Sequence, residues 1–193
     1  MWQKAKRAVN PETAKLIVQN AHKNGAKVVG VFVSEEAQTM MNLAREVGLD
    51  YIQLHGDKSR ASLPDISGDF KVIYVTSFDG EGVCRTPIPD LDLVSKSRGS
   101  QSAVDFFLAD GLQGGSGVSF DWRQFQVPDS TKSYPWILAG GLNPTNVSEA
   151  ARLVKPYAVD VSSGVCGPDG LKKDPIKVSS FIEQIRLLSL GNA

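Results

Sequence analysis

A glycine-rich loop late in the chain carries residue types that proteins use to hold an anion. In the segment WILAGGLNP, Gly140 and Gly141 follow an apolar run, and Asn143 and Pro144 are suited to starting a helix. Glycines let the backbone approach a ligand closely, and the amide groups and dipole at a helix start favour negative charge. We therefore expect Gly140, Gly141 and Asn143 to bind a phosphate group.

A second loop with similar chemistry follows the next apolar segment. The segment VDVSSGVCG offers the hydroxyl and amide groups of Ser162, Ser163 and Gly164. Asp160 alternates with two valines, so it either joins this phosphate site or accepts hydrogen bonds from the loop amides. Ordinary left-handed turns with capping side chains would explain either loop alone. Two such loops in succession favour phosphate binding.

Apolar segments alternate with helical patterns along the chain, and this alternation must position the two loops. Six runs have the length of buried parallel strands and cover residues 28–33, 51–56, 71–76, 106–110, 136–140 and 158–163. Helices are expected from Asn10-Pro11, after Ser34, over residues 58–66, 91–96 and 121–125, from Asn143-Pro144, and from Asp174-Pro175. No linker interrupts the pattern, which predicts one α/β domain over residues 1–193 with a parallel sheet.

The position of the phosphate-type loops distinguishes between two α/β folds. An open, doubly wound sheet would carry a glycine-rich fingerprint after its first strand, but that segment reads VFVSEE. In a (β/α)8 barrel, the loops after strands seven and eight commonly bind a substrate phosphate. Functional residues of such barrels lie at strand ends, as His55, Asp110 and Ser162 do here. We therefore predict a TIM (β/α)8-type barrel that is N-terminally incomplete, with six βα units present.

The composition excludes several classes of function. Twenty-one basic residues balance twenty-one acidic residues, so nothing favours nucleic acid or a membrane surface as a partner. No apolar run approaches the roughly 20 residues that span a membrane. The two cysteines and two histidines lack the spacing of a disulfide framework or a metal site, so we expect no metal and no other cofactor. The segment MWQKAKRAVN is neither a signal peptide nor a convincing transit peptide.

Several segments, occurring in a fixed order, give the chain a resemblance to a known enzyme family. They read KAKR, VVGVFV, YIQLHG, the stretch from Asp110 through GGSG to FDW, LAGGLNPTNV, and AVDVSSGVCG with GLKKD. On these segments, which run from Lys4 to Asp174, the chain resembles phosphoribosylanthranilate isomerase, and GVCGPDG looks most like plant versions. The resemblance implies a (β/α)8 barrel and an isomerase of tryptophan biosynthesis that acts on a small phosphosugar.

The implied reaction is an Amadori rearrangement of an aminoaldose phosphate to an aminoketose phosphate. It needs an acid to protonate the ribose ring oxygen and a base to take a proton from the neighbouring carbon. Asp110 matches the family's general acid, although a solvated loop aspartate or a helix cap is the alternative. The next residues, which by themselves indicate only a flexible loop, are expected to cover the substrate: Gly114, Gly115, Ser116 and Gly117.

Three further residues match family positions that contact the substrate. Arg7 matches an arginine that faces the anthranilate end, and a guanidinium can pair with a carboxylate through two hydrogen bonds. Membership of an exposed basic cluster with Lys4 and Lys6 is an equally good explanation of Arg7. Gln53 and His55 belong to the QLHG motif, and we expect them to line the substrate.

The chain departs from the family pattern at its beginning. Family members begin with a strand that ends in a Lys-Ile-Cys-Gly motif, whose cysteine is the general base, and KAKR follows their second strand. We therefore expect the first strand, helix and second strand to be absent, whether the chain is a fragment, a splice form or a full gene product. Cys166 is a much less favoured candidate to replace the base, and the role of a structural thiol in its loop is favoured instead.

An incomplete barrel leads to expectations about activity, assembly and location. The chain should be a poor or inactive isomerase; the alternative function is a non-catalytic phosphosugar-binding barrel remnant or interaction protein. Open barrel edges should lower stability and promote self-association. The plant-like segments predict the chloroplast stroma as the location, and the cytoplasm if the source is not a plant.

Overall fold

The computed structural model describes residues 5–99, 101–112 and 120–190. The strands in these ranges are β1 (Val29–Phe32), β2 (Tyr51–Leu54), β3 (Lys71–Phe78), β4 (Phe106–Gly111), β5 (Trp136–Leu138) and β6 (Ala158–Val159). They form one open, parallel sheet in the order β1–β2–β3–β4–β5–β6. The six parallel strands predicted from the sequence are therefore confirmed.

Helices separate most of these strands in the described part of the chain, and only a short 3-10 turn, Asp129–Thr131, lies between β4 and β5. The helices are α1 (Pro11–Lys23), α2 (Ala37–Val47), α3 (Asp57–Ala61), α4 (Leu91–Ser97), α5 (Val147–Val154) and α6 (Pro175–Leu190). α1 begins as predicted, because the Asn10 side chain accepts a hydrogen bond from the Thr13 N–H at 2.8 Å. α6 also begins as predicted, because Asp174 Oδ1 accepts one from the Ile176 N–H at 2.9 Å.

The predicted start of α2 after Ser34 is wrong. Glu35 Oε2 accepts hydrogen bonds from the N–H groups of Val33 and Ser34, at 2.9 and 3.0 Å. These bonds hold the segment in a turn, and α2 begins three residues later, at Ala37. Because local side-chain bonds compete with helical ones, a good capping residue does not by itself fix a helix start.

Two other helix predictions are also corrected. Residues 121–125 form a turn, in which the Gln124 N–H donates to Asp121 O at 3.2 Å and Asp121 Oδ1 accepts from the Arg123 N–H at 2.9 Å. The helix predicted over residues 58–66 is divided into α3 and a short 3-10 turn, Leu63–Asp65. Pro64 lies in that turn, and it has no N–H with which to continue an α-helix.

β1 is not covered on both faces, contrary to the prediction from its apolar sequence. Val29 and Val31 are each 37% exposed, whereas Phe32 is fully buried. Exposed and buried residues alternate along the strand, so only one of its faces is buried, and it lies at one end of the strand order.

The chain divides into two compact units, and β3 and β4 contribute to both. The first unit runs to Val75 and includes Ile88–Phe107, and the second comprises Thr76–Pro87 and the chain from Leu108 onward. Fully buried apolar side chains form the core of the first unit: Phe32, Met40, Ile52, Leu54, Leu63, Val72, Val104 and Phe107. None of the helices in the described ranges has the length and apolar character needed to cross a membrane.

The second unit is built around four aromatic side chains. The ring of Phe78, at the end of β3, lies 5.5 Å from Phe120, 4.8 Å from Phe125 and 6.0 Å from Trp136, measured between centroids. Such aromatic pairs contribute roughly 0.5–1.5 kcal/mol each beyond the area they bury. Three residues of α5 and α6 in the same unit are also buried: Val147, Ala150 and Phe181. The Phe78–Trp136 contact joins the end of β3 to the start of β5.

Candidate active site

Asp110 lies at the carboxyl end of β4 in the second unit, where the strand is firmly held. Leu108, two residues earlier, is buried, and its carbonyl oxygen accepts a hydrogen bond from Thr76 Oγ1 at 3.0 Å. The Asp110 side chain is half-buried, and its Oδ1 accepts a hydrogen bond from the Gly111 N–H at 2.9 Å. The carboxyl group is therefore fixed at the strand end by its neighbours.

Gly140 and Gly141 follow β5, and their backbone has positive φ angles of 81° and 68°. Glycine adopts such angles at little cost, whereas other residues rarely do. A Cβ atom added at Gly140 would lie 2.7 Å from the Gly111 nitrogen and 3.2 Å from Asp110 Oδ1. Because Gly140 has no side chain, its backbone passes directly beside the carboxyl group of Asp110.

Asn143 shapes the same loop through hydrogen bonds made inside it. Its Oδ1 accepts from the N–H and the hydroxyl of Thr145, at 2.8 and 2.7 Å, and its N–H donates to Asn146 Oδ1 at 2.8 Å. Asn146 Nδ2 in turn donates to Gly141 O at 3.0 Å. These bonds form a turn, and α5 begins only at Val147. The predicted helix start at Asn143-Pro144 is therefore wrong.

The loop after β6 touches the loop after β5 at Gly164. A Cβ atom added at Gly164 would lie 1.9 Å from Leu142 O and 3.0 Å from Asn143 Cβ. Ser162 and Ser163, both half-buried, precede this contact. Only glycine permits so close an approach of two backbones, so the sequence SSG brings the two predicted phosphate loops together.

A small pocket in the second unit unites most of the predicted site. Its lining includes Asp110, Gly140, Gly141, Asp160, Ser162, Ser163 and Gly164, together with Ala139, Leu142 and Val161. Asn143 lies next to this lining and supports it, but is not part of it. Two carboxyl groups border the pocket, so an anion bound there would depend on the donors that the loops provide. Those donors are backbone amides and serine hydroxyls.

The other predicted substrate residues that are described belong to the first unit. Arg7 is exposed in the turn before α1, and Gln53 is half-buried on β2. His55 follows β2, and its Nδ1 is buried without a hydrogen-bond partner among the described residues. A buried nitrogen of this kind is a candidate for contact with a polar ligand. Four predicted residues lie outside the described residues: Gly114, Gly115, Ser116 and Gly117.

Neither cysteine lines the pocket. Cys166 is buried, with 1% of its surface exposed, and its Sγ lies 3.3 Å from Ser162 O and 3.7 Å from Leu171 O. Cys84 Sγ lies 3.5 Å from Thr86 O, between β3 and α4. These contacts make Cys166 a structural loop thiol. Across the described ranges, no three His, Cys, Asp or Glu side chains come together as metal ligands would.

Similarity to known proteins extends over nearly the whole chain. A family profile described as N-(5'phosphoribosyl)anthranilate (PRA) isomerase matches residues 1–184, which include every residue of the pocket. The chain belongs to the phosphoribosylanthranilate isomerase family. The resemblance inferred from the ordered sequence segments is therefore confirmed.

Individual members of the family show how far the similarity reaches. The chain is 40% identical over 186 residues to N-(5'-phosphoribosyl)anthranilate isomerase 1, chloroplastic, of Arabidopsis thaliana, covering 96% of this chain and 65% of that protein. The phosphoribosyl anthranilate isomerase of Thermus thermophilus superposes with a TM-score of 0.75 at 26% identity, covering 96% of this chain and 84% of that one. The chain thus spans less than two thirds of the Arabidopsis relative, and the TIM-barrel type of fold is confirmed.

A third family member was solved with a ligand. It is a phosphoribosyl anthranilate isomerase in complex with reduced 1-(o-carboxyphenylamino)-1-deoxyribulose 5-phosphate. It superposes on this chain with a TM-score of 0.66 at 29% identity, covering 95% of this chain and 82% of that one.

Two groups that hold the pocket residues of the present chain in place were not predicted from the sequence. The first is the N–H of Gly111, which binds the Asp110 carboxyl group. A glycine directly after a polar strand-end residue was the available signal. The second is Lys173, whose Nζ donates to Ser162 O at 2.6 Å. It lies in an irregular loop, where no periodic pattern connects it to Ser162.

Proposed function

We propose that the protein acts as a phosphoribosylanthranilate isomerase in tryptophan biosynthesis. It would convert N-(5-phosphoribosyl)anthranilate to the corresponding carboxyphenylamino-deoxyribulose phosphate by an Amadori rearrangement. The observation that carries the proposal is the pocket of the second unit, where a fixed carboxyl group borders two loops that supply amide and hydroxyl donors. The proposed substrate has a ring oxygen for the acid and a phosphate group for the loops.

Asp110 is the general acid in this proposal. Its carboxyl group protonates the ribose ring oxygen, the ring C–O bond breaks, and the anthranilate nitrogen forms an iminium ion with the freed carbon. A base then removes the proton from the neighbouring carbon, which leaves an enol that becomes the ketone. Gly140 and Gly111 support this step, because they restrict where the carboxyl group of Asp110 lies.

The phosphate group of the substrate is assigned to the two joined loops. Gly140, Gly141, Ser162, Ser163 and Gly164 offer amides and hydroxyls along the pocket lining. Two residues shape this site from its border, Asn143 through its turn and Asp160 at the end of β6.

We assign the substrate's anthranilate end to Arg7, Gln53 and His55 because they match the family's sequence motifs. Arg7 would pair its guanidinium with the anthranilate carboxylate. Gln53 and His55 would line the same end, and the buried Nδ1 of His55 is a ready hydrogen-bonding group. The GGSG residues, Gly114 to Gly117, remain the proposed cover over the substrate.

The catalytic base is the group that this polypeptide does not supply from its pocket lining. In the family the base is the cysteine of the Lys-Ile-Cys-Gly motif, whereas Cys166 is buried in its own loop. A polypeptide limited to these 193 residues should therefore bind the phosphosugar but isomerise it poorly. The same observation supports the second candidate function, a non-catalytic phosphosugar-binding protein.

The chloroplast stroma is the proposed location if the source is a plant. The Arabidopsis relative, which is 40% identical, is named as chloroplastic. Fractionation of source cells with detection by antibody tests this location, and recovery only in the cytosolic fraction would contradict it.

The proposed role of Asp110 is tested by Asp110→Asn in a fusion that supplies the family's N-terminal strand-helix-strand. Asparagine keeps the shape of the side chain but cannot deliver the proton, so kcat should fall by roughly 10²–10⁴-fold. Affinity for inorganic phosphate should stay within about threefold, because the phosphate donors are unchanged. Asp129→Asn is the matched control, since that carboxylate lies on the surface of the same unit, paired with Lys132. Equal turnover by Asp110→Asn and Asp129→Asn would remove Asp110 from the mechanism.

A further inference from the structure

The carbonyl oxygen of Ser162 is held by two side chains from outside the pocket lining. Lys173 Nζ donates a hydrogen bond to it at 2.6 Å, and Cys166 Sγ lies 3.3 Å from it. Ser162 itself lines the pocket, whereas Lys173 and Cys166 do not. The loop that would bind phosphate is therefore anchored at the carbonyl group of Ser162 by two residues that do not line the pocket.

Lys173 is placed for this contact by a short hairpin, here called the flap (residues 166–174). Cys166 and Lys173 pair as antiparallel residues, and the Gly167 N–H donates to Lys172 O at 2.9 Å. Asp169 Oδ1 closes the turn by accepting from the Lys172 N–H at 3.1 Å. Because the closed hairpin already fixes the backbone at Lys173, the contact with Ser162 costs less conformational entropy than it would on an open loop.

The geometry of the peptide bond transmits this contact to the pocket. A trans peptide is planar, with its C=O and N–H groups pointing in opposite directions, and the described residues contain no cis bond. The carbonyl of Ser162 shares its peptide plane with the N–H of Ser163. Anchoring that carbonyl on the flap therefore directs the Ser163 N–H away from the flap, and Ser163 is a lining residue. The lysine charge also polarises the peptide and strengthens its N–H as a donor.

We propose that Lys173 is a positioning residue for phosphate recognition: it fixes and polarises the Ser162–Ser163 peptide so that the Ser163 N–H binds the substrate phosphate. This role rests on the proposed function of the pocket. Lys173 acts through the peptide and does not itself contact the ligand. Its effect should therefore appear in phosphate affinity and KM, with kcat largely retained.

Lys173→Met and Lys172→Met, made in the 193-residue chain, separate this role from general charge attraction. Both variants remove one exposed lysine charge from the same flap, and Lys172 Nζ has no hydrogen-bond or ion-pair partner among the described residues. Inorganic phosphate is the probe, titrated by calorimetry and by the ¹H–¹⁵N signal of Ser163. Lys173→Met should weaken binding about tenfold, as expected for loss of a charge-assisted hydrogen bond, and should shift the Ser163 signal before phosphate is added. Lys172→Met should change affinity less than threefold and leave that signal in place.

Lys173→Arg keeps a charged donor and should recover most of the affinity lost in Lys173→Met. If only the aliphatic part of Lys173 mattered, Lys173→Met would already bind phosphate normally. Thermal unfolding of each variant shows whether it folds. If Lys173→Met does not fold, phosphate affinity is compared between Lys173→Arg and the unsubstituted chain. Equal weakening by Lys172→Met and Lys173→Met, or full phosphate affinity in Lys173→Met, would overturn the positioning role and leave the proposed function intact. If the unsubstituted chain binds neither phosphate nor the reduced product analogue, the proposed function fails, and the role of Lys173 fails with it.

Discussion

Gly140 passes directly beside the proposed acid, Asp110. Its φ is +81°, and an added Cβ would lie 2.7 Å from the Gly111 nitrogen. Alanine there would meet left-handed strain of about 1–2 kcal/mol and a backbone clash that costs roughly 1–3 kcal/mol more. We expect Gly140→Ala to lower the free energy of unfolding by about the sum and to abolish phosphate binding, measured by urea unfolding and calorimetry.

Gly25 provides the matched control for this substitution. Its φ is +72°, but nothing lies within 4 Å of an added Cβ. Gly25→Ala should therefore show only the left-handed strain and keep phosphate affinity. If the two variants lose equal stability and both bind phosphate normally, the close approach of Gly140 to the acid has no functional role.

Asp50 predicts how the stability of the first unit changes with pH. Burial opposes ionisation of its carboxyl group, but hydrogen bonds from His22 (2.7 Å), the Val28 N–H (2.8 Å) and Lys27 (2.9 Å) outweigh it, so the pKa of Asp50 lies well below its ordinary value of 3.8. A lowered folded-state pKa means that this stabilisation is present above about pH 4 and is lost as pH falls below it.

Asp50→Asn should therefore destabilise the protein by about 1.5–3 kcal/mol at pH 7, the range for hydrogen bonds to a charged group. The difference from the unsubstituted protein should shrink as pH falls below about 4. Chemical unfolding at pH 7, 5 and 3 measures it, with the exposed Asp129→Asn as a control that changes little. A difference that is constant over this pH range would show that Asp50 does not stabilise the fold through its charge.

At the scale of whole elements, the contact between the loops after β5 and β6 brings the proposed phosphate donors to one pocket. An added Cβ at Gly164 would lie 1.9 Å from Leu142 O, which is backbone and cannot easily move aside. Gly164→Ala should separate the loops and weaken phosphate binding at least about tenfold, because several donors are displaced together.

Gly80 is the control for Gly164, since both lack a positive φ and Gly80 has nothing within 4 Å of an added Cβ. Gly80→Ala should leave phosphate affinity unchanged. Calorimetric titration of both variants compares them directly. Normal affinity in Gly164→Ala would mean that the two loops bind independently, or do not bind phosphate at all.

The strands and the two loops were predictable from the sequence, but the starts of several helices were not. Buried parallel strands have continuous apolar runs, such as the one that ends before Gly140. Such a run can be recognised without knowing the contacts of its individual side chains. Helix starts depend on competition between side chains and backbone groups. Asn143 and Asp121 each form a local turn with nearby N–H groups, which no hydrophobic pattern reveals.

The same distinction applies to the site residues. Asp110, Ser162 and Ser163 were predictable because they lie where strands end and face a common edge. The support from Lys173 was not, because the flap closes on itself through backbone contacts between residues 166–167 and 172–173, in a segment with no periodic pattern. Exposed Val29 and Val31 also contradicted their pattern, since an apolar run does not reveal whether its strand lies at an edge.

At the scale of the whole molecule, the family resemblance requires a catalytic base that the described pocket does not contain. The pocket holds the proposed acid and the proposed phosphate donors, and the thiol of Cys166 is buried against Ser162 O and Leu171 O. Acid and base contribute to the same reaction, so a polypeptide without the base should turn over roughly 10²–10⁴-fold more slowly than one with it. Phosphosugar binding and turnover should therefore be separable in this polypeptide.

Steady-state turnover of N-(5-phosphoribosyl)anthranilate tests this division of roles most directly. The 193-residue chain should turn over slowly, and its fusion to the family's N-terminal strand-helix-strand should be at least about 100-fold faster. The same fusion with alanine in place of the cysteine of the Lys-Ile-Cys-Gly motif should return to the slow rate. Equal, rapid turnover by the 193-residue chain and both fusions would contradict this assignment of acid and base.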